Sequence, residues 1–183
     1  KVLPLEVERG FNKMPKPSAH DLFFDIEGLD KILNPEESDE EETNKDKQGL
    51  EYLFGIYDHD NKKEYYKYFW AHNQDEEKEK FIELLKFIDK HLKQYPDSHI
   101  YHFNHYEKTA LTKLMSKHDT CIEQVNDLLR YGKLVDLHAV LNQGMQVSEK
   151  EYSLKNLEKF YQYKRKGEIK KANESTDKYL DWI

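Results

Sequence analysis

The run Leu22-Phe23-Phe24-Asp25-Ile26-Glu27-Gly28 constrains this chain more than any other stretch. Its apolar residues predict a core β-strand over residues 21–27 that ends with two acids. Side chains alternate across a strand, so Asp25 and Glu27 share one face and Ile26 takes the other. Two neighbouring carboxylates repel each other and cost stability unless a cation lies between them. Mg²⁺ and Mn²⁺ are hard ions that take carboxylate oxygens, so the pair reads as half of a divalent metal site. The plainer reading makes the acids the solvated end of a turn.

The rest of the chain narrows the options. Its 183 residues suffice for one domain with a real core. Hydrophobic residues make up 37% and charged residues 36%, so much of the charge must lie on surface helices and loops. A net charge of −7 argues against a free-standing, high-affinity nucleic-acid binder but not against an active site that meets nucleic acid through metal ions. The single cysteine, Cys121, excludes an internal disulfide, suits a reducing, cytoplasmic setting and has no partner at zinc spacing. No apolar run approaches the ~20 residues of a membrane span, and the start lacks the features of a signal peptide. The first residue is Lys1, which suggests a piece of a longer chain.

Residues 1–19 carry Pro4, Pro15 and Pro17 without periodicity and read as a linker from a preceding domain. Residues 20–183 read as the domain proper. Within it, residues 29–49 hold an acidic block around Glu36–Asp46 with too few apolar residues for a core, which predicts a flexible insertion. Two aromatic strands follow, Tyr52–Tyr57 and Tyr65–Trp70, with Asp58-His59-Asp60-Asn61 as the turn between them. Phe81, Leu84, Leu85, Ile88 and Leu92 recur at helical spacing, and Pro96-Asp97-Ser98 ends that helix. Residues His99–Phe103 read as a fourth strand. The expected fold is α/β: a mixed central sheet, an antiparallel meander followed by parallel strands, flanked by helices.

The exit of the fourth strand, Asn104-His105-Tyr106-Glu107, opens another helix. Glu107 in its first turn gains from the helix dipole. If the first and fourth strands pair in parallel, their carboxyl ends bring Glu107 to Asp25 and Glu27, completing an ion cage. The alternative is a capping box, Asn104 as cap and Glu107 as its N3 partner. Asp136 and Ser153 read as caps of later helices. Lys159–Lys171 mixes basic and aromatic residues, which suits a phosphate backbone with stacked bases or, equally, a solvated helix end.

These motifs carry a resemblance. Asp25-Ile26-Glu27 looks like the first motif of the DEDD 3′–5′ exonucleases, and the order strand, strand, strand, helix, strand resembles the opening of a ribonuclease-H-like domain. Pro15-Lys16-Pro17-Ser18, Gly49–Gly55, Phe69–His72, Tyr101-His102 leading to Tyr106-Glu107, Asp127–Arg130, Val135–Leu137 and Tyr152–Glu158 together resemble the YprB-like ribonuclease-H-like domain. In that family the domain accompanies an N-terminal RecB-type nuclease domain and often a C-terminal superfamily 1 helicase, in cytoplasmic nucleic-acid processing or DNA repair. The resemblance implies a nuclease that cuts DNA or RNA with two Mg²⁺ or Mn²⁺ ions about 3.5–4 Å apart. Asp25 would bridge both ions, Glu27 would hold the one carrying the attacking water, and Glu107 the other. Asn104, His105, Lys155, Lys164 and Arg165 would contact nucleic acid. A further acid on a late helix, usual in such enzymes, has no counterpart here, which implies a domain cut short at its C-terminus and a fragment of little activity. The other outcome is a catalytically inactive module that binds nucleic acid or bridges its neighbours.

Overall fold

The computed structural model describes residues 1–29, 49–60, 63–163 and 172–183. The acidic block, the turn residues 61–62 and the candidate contacts Lys164 and Arg165 lie outside the described residues. Three strands come first: β1 (Leu22–Leu29), β2 (Leu50–Asp60) and β3 (Lys63–Trp70). Helix α1 (Gln74–Gln94) leads to β4 (Ile100–His102), then α2 (Tyr106–His118) and α3 (Ile122–Arg130). Strand β5 (Leu134–Asp136) runs directly into α4 (Leu137–Gly144), followed by α5 (Leu154–Glu158) and α6 (Ala172–Trp182).

The strands form one sheet in the order β3-β2-β1-β4-β5. The first three are antiparallel, and β4 and β5 join in parallel. This is the mixed sheet that the sequence predicts. The turn read at residues 58–61 is displaced: Asp58 and His59 are paired strand residues, opposite Tyr65 and Glu64. Pairing with β3 carries these polar turn formers into the ladder and overrides their turn propensity.

One face of the sheet is the main core. Leu22, Phe24 and Ile26 of β1 join Phe54 and Ile56 of β2 and the apolar stripe of α1, with Ala110, Leu111 and Leu114 of α2. Phe81, Leu84, Leu85 and Ile88 are essentially inaccessible, each worth roughly 1.5–3 kcal/mol of apolar transfer. Asn73 caps α1 by accepting a 2.9 Å hydrogen bond from the Glu76 amide. Asp136 caps α4, as its position in the sequence predicts, by accepting from the amides of His138 and Ala139. Ser153 caps α5 in the same way. Among the described residues no helix is long and apolar enough to cross a membrane.

The stretch read as a linker lies along α4. Val2 pairs with Met145, the Leu3 amide donates to the Gly144 carbonyl, and a single turn of 3₁₀ helix, Gly10–Lys13, rests on the same helix. Gly10 sits at φ +56°, and a β-carbon there would stand 2.8 Å from the backbone of Gly144.

The opposite face carries the acids. Between Glu27 and Gly28 the register shifts, so that β2 advances two residues while β1 advances one. Tyr52 is the extra residue, and the bulge re-aims it toward the Asp25 side of the sheet. There its ring stacks on Tyr179 of α6, 4.0 Å between centroids and 9° apart. Trp70, Trp182 and His72 complete the aromatic cluster that seats α6 over one end of this face.

Candidate functional site

Asp25 and Glu27 lie on the same face of β1, with Gly55 and Leu53 of β2 directly opposite. Strand β4 pairs with β1 only at Leu22 and Phe23 and ends at His102. Beyond Phe23, therefore, β1 has no strand on that side, and the first turn of α2 fills the space. Glu107 comes from that turn and is 3% exposed. Its carboxyl lies within hydrogen-bonding reach of Asp25 and acts electrostatically on both Asp25 and Glu27. The three acids that are far apart in the sequence meet.

The capping-box alternative for Glu107 does not form. Asn104 adopts φ +83°, and its side-chain oxygen accepts from the amide and ring of its neighbour His105. His105 occupies the cap position without making a side-chain cap. The Asn104 amide donates to Asp136, which thereby holds both the β4 exit and the start of α4. Glu107 is left free to turn inward.

The electrostatics show what this convergence costs. Burial, then the Glu27 charge, then the Glu107 charge push the Asp25 carboxyl up to about 7. Glu27 is raised too, by burial and by Glu107. A buried oxygen of Glu107, Oε2, lacks a hydrogen-bond partner, although Nδ1 of the buried His102 lies 3.3 Å away. His102 Nδ1 is committed to the Asn104 carbonyl at 2.7 Å. An orphaned carboxylate oxygen beside two repelling acids is an arrangement that a small divalent cation would relieve. Among the described residues, however, no three His, Cys, Asp or Glu side chains already stand as a metal-binding cluster. The Asp25 and Glu107 carboxyls stand close together where an ion would have to enter.

The raised Asp25 sets a testable pH dependence. An acid with a folded value near 7 and an ordinary value of 3.8 binds its proton more tightly in the folded state between those limits. Its ionisation therefore opposes folding: the penalty is absent below about pH 3.8 and complete above about pH 7. In EDTA, Asp25→Asn should be more stable than the parent at pH 8, by about 1 kcal/mol after allowance for solvent screening at this partly open site. The gap should close by pH 4. Urea titrations at the two pH values measure it; equal gaps would show that Asp25 is not strained by its neighbours.

The other predicted contacts divide. A cavity of about 310 Å³ that includes Asp25 is lined also by Phe103 and Leu154, and Asn104 lines a separate cavity of about 320 Å³ that shares those two residues. Lys155, next to Leu154, is exposed on α5 and lies outside that lining. His105 faces a different cavity, of about 400 Å³, with Glu51, Lys113 and Lys117. The structure thus places His105 away from the Asp25 cavity, because the left-handed turn at Asn104 swings it to the α2 side.

Tyr66 is a residue that the sequence reading missed. An ideal β-carbon on Gly55 would lie 2.6 Å from the Tyr66 hydroxyl. The absent side chain at Gly55 lets the ring lean toward the acids, and the charges of Asp25 and Glu27, after burial, raise its hydroxyl. A glycine directly opposite the predicted acid strand was the available signal.

A comparison with protein families matches the RNase H superfamily over residues 39–183. The chain belongs to the RNase H superfamily. Its sheet order and flanking helices agree with that membership. The matched span begins after β1, so of the three acids only Glu107 lies within it. No curated protein and no solved structure matches this RNase H superfamily chain.

Proposed function

We propose that this RNase H superfamily domain is a metal-dependent nuclease of the YprB-like, 3′–5′ exonuclease-like kind, acting on DNA or RNA within a larger nucleic-acid-processing protein. The observation that carries the reading is the meeting of Asp25, Glu27 and Glu107, with Asp25 raised to about 7 and a Glu107 oxygen orphaned. Asp25, Glu27 and Glu107 would hold Mg²⁺ or Mn²⁺, which when bound supplies activation of water and neutralisation of charge at the leaving oxygen. The chain's own contribution is positional. Strand β1 fixes the two carboxylates at adjacent same-face positions, α2 supports the third on its positive end, and His102 backs Glu107 from the buried side. The aromatic cluster under α6 keeps one flank of the acids closed to water.

A second reading is favoured by the lack, among the described residues, of a ready-made three-ligand cluster. It is a non-catalytic module that keeps the fold and bridges nucleic acid or flanking nuclease and helicase domains. Mn²⁺ separates the two. On the nuclease reading, Mn²⁺ at 100 times its Kd should stabilise the domain by about 2.7 kcal/mol and support cleavage of a labelled DNA or RNA strand that EDTA abolishes. Absence of any thermal shift or calorimetric heat with Mn²⁺ would favour the second.

A further inference from the structure

The strand register places four aromatic residues in one row across the acid-bearing face. Tyr66 of β3 pairs with Tyr57 of β2, Tyr57 with Phe23 of β1, and Phe23 with Tyr101 of β4. The Phe23 and Tyr101 rings are 5.6 Å apart at 26°, and Phe23 and Tyr57 are 6.3 Å apart. Two residues farther along β1 comes the row of Tyr68, Gly55 and Asp25, and two farther the row of Trp70, Leu53 and Glu27. Helix α6 covers the Trp70 end through Tyr179 and Trp182. The first row is open at Phe23, 43% exposed, and Tyr66, 56% exposed, whereas Tyr101 is buried at 5% and backs Phe23. Its rings form the floor of the cavity that contains Asp25.

Phe23 and Tyr66, which could be buried, are instead displayed in register, two residues, or ~6.8 Å, from the acid row. No lysine or arginine is among the described residues that line this cavity. A ligand held here must offer flat apolar faces rather than rely on its negative charge. We propose that the exposed rings of Tyr66 and Phe23, with Tyr57 and Tyr101 packed beside Phe23, form a base-stacking platform that selects single-stranded nucleic acid and lays the neighbouring phosphate at Asp25. The stacking names the substrate class of the proposed nuclease site, and the placement of the phosphate rests on that reading. A duplex has already stacked its bases on each other and offers the platform only its ends. Stacking tolerates any base, so the platform reads strandedness rather than sequence.

The test is binding without turnover, in Ca²⁺ or in EDTA, by anisotropy of labelled DNA and RNA strands roughly 12 nucleotides long. Base-bearing strands should bind more tightly than abasic strands carrying the same phosphates, and more tightly than the matching duplex. Tyr66→Ala, an exposed position, and Phe23→Ala should each weaken binding by roughly fivefold to a hundredfold, as loss of a stacked base does. Equal affinity for abasic and base-bearing strands would overturn the platform, as would no binding at all. The abasic comparison uses the unaltered protein, so a misfolded variant cannot decide it. Binding that depends on bases, with no uptake of Mn²⁺ by calorimetry, would keep the platform and remove the nuclease reading. Hydrolysis indifferent to Tyr66 and Phe23 would do the reverse.

Discussion

Asp25→Asn is expected to reduce Mn²⁺-dependent cleavage by about a thousandfold or more and to remove the thermal shift that Mn²⁺ gives the unaltered domain. Asparagine keeps the shape of the side chain and its place on β1, so the fold should survive. What it removes is the charge on which the other two acids converge electrostatically. If a bound ion contributes several kcal/mol of transition-state stabilisation, each 1.36 kcal/mol lost is a factor of ten in rate. Glu107→Gln should have a smaller but parallel effect, since its orphaned oxygen is one donor of the set rather than its centre. The informative pairing is opposite signs in one variant: a more stable protein without metal at pH 8, and a weaker response with it. Sites that hold like charges together for function commonly trade stability in this way. Cleavage that survives in Asp25→Asn, with Mn²⁺ still binding, would take the acids out of the reaction.

The sequence carried much of this site because the chemistry sits where local rules apply. Alternation along β1 put Asp25 beside Glu27, and the helical period after Asn104 put Glu107 in a first turn. Their meeting required only that the first and fourth strands be parallel neighbours, which they are. What stayed hidden was set by register. The row of Tyr66, Tyr57, Phe23 and Tyr101 exists because three separate pairings align, and no single segment encodes that alignment. The bulge at Glu27 and Gly28 is equally non-local: it turns Tyr52 toward α6, a helix more than a hundred residues away. His105 comes to face the other cavity for a local reason. Its neighbour Asn104 takes a positive φ, a conformation Asn adopts more readily than most residues but which sequence alone did not specify here. The ends of the second strand were misjudged because Asp and Asn signal turns by propensity, and pairing with β3 overrode it.

The largest effect on stability should come from Glu77, which no motif marks. It lies fully buried near the start of α1. One carboxylate oxygen accepts from the Glu51 amide at 2.6 Å, at the beginning of β2. The other accepts from Lys117 Nζ at 2.5 Å and lies 2.6 Å from His118 Nε2, at the end of α2. Lys117 also donates to the Gly49 carbonyl. A single charge therefore ties two helices to the strand that carries the bulge, with opposite charges near the helix ends that favour them. Glu77→Ala strands a cation and an amide and should cost about 3–5 kcal/mol, near the lower end because Lys117 retains a path to solvent. Glu77→Gln keeps one acceptor and should cost less than half as much. For a chain of this size 3 kcal/mol lowers Tm by roughly 10 °C, and urea midpoints should fall at constant slope if the fold remains cooperative. The loss should also reach the acids. Glu51, the second residue of β2, accepts the Tyr106 hydroxyl at 2.9 Å, across the open α-carbon of Gly28 and next to Glu27. If Glu77→Ala unfolds within 1 kcal/mol of the parent, the buried carboxylate is not the tie that holds β2 in register, and the bulge is set by the packing of Tyr52 on Tyr179 and Trp70 and its hydrogen bond with Ser175.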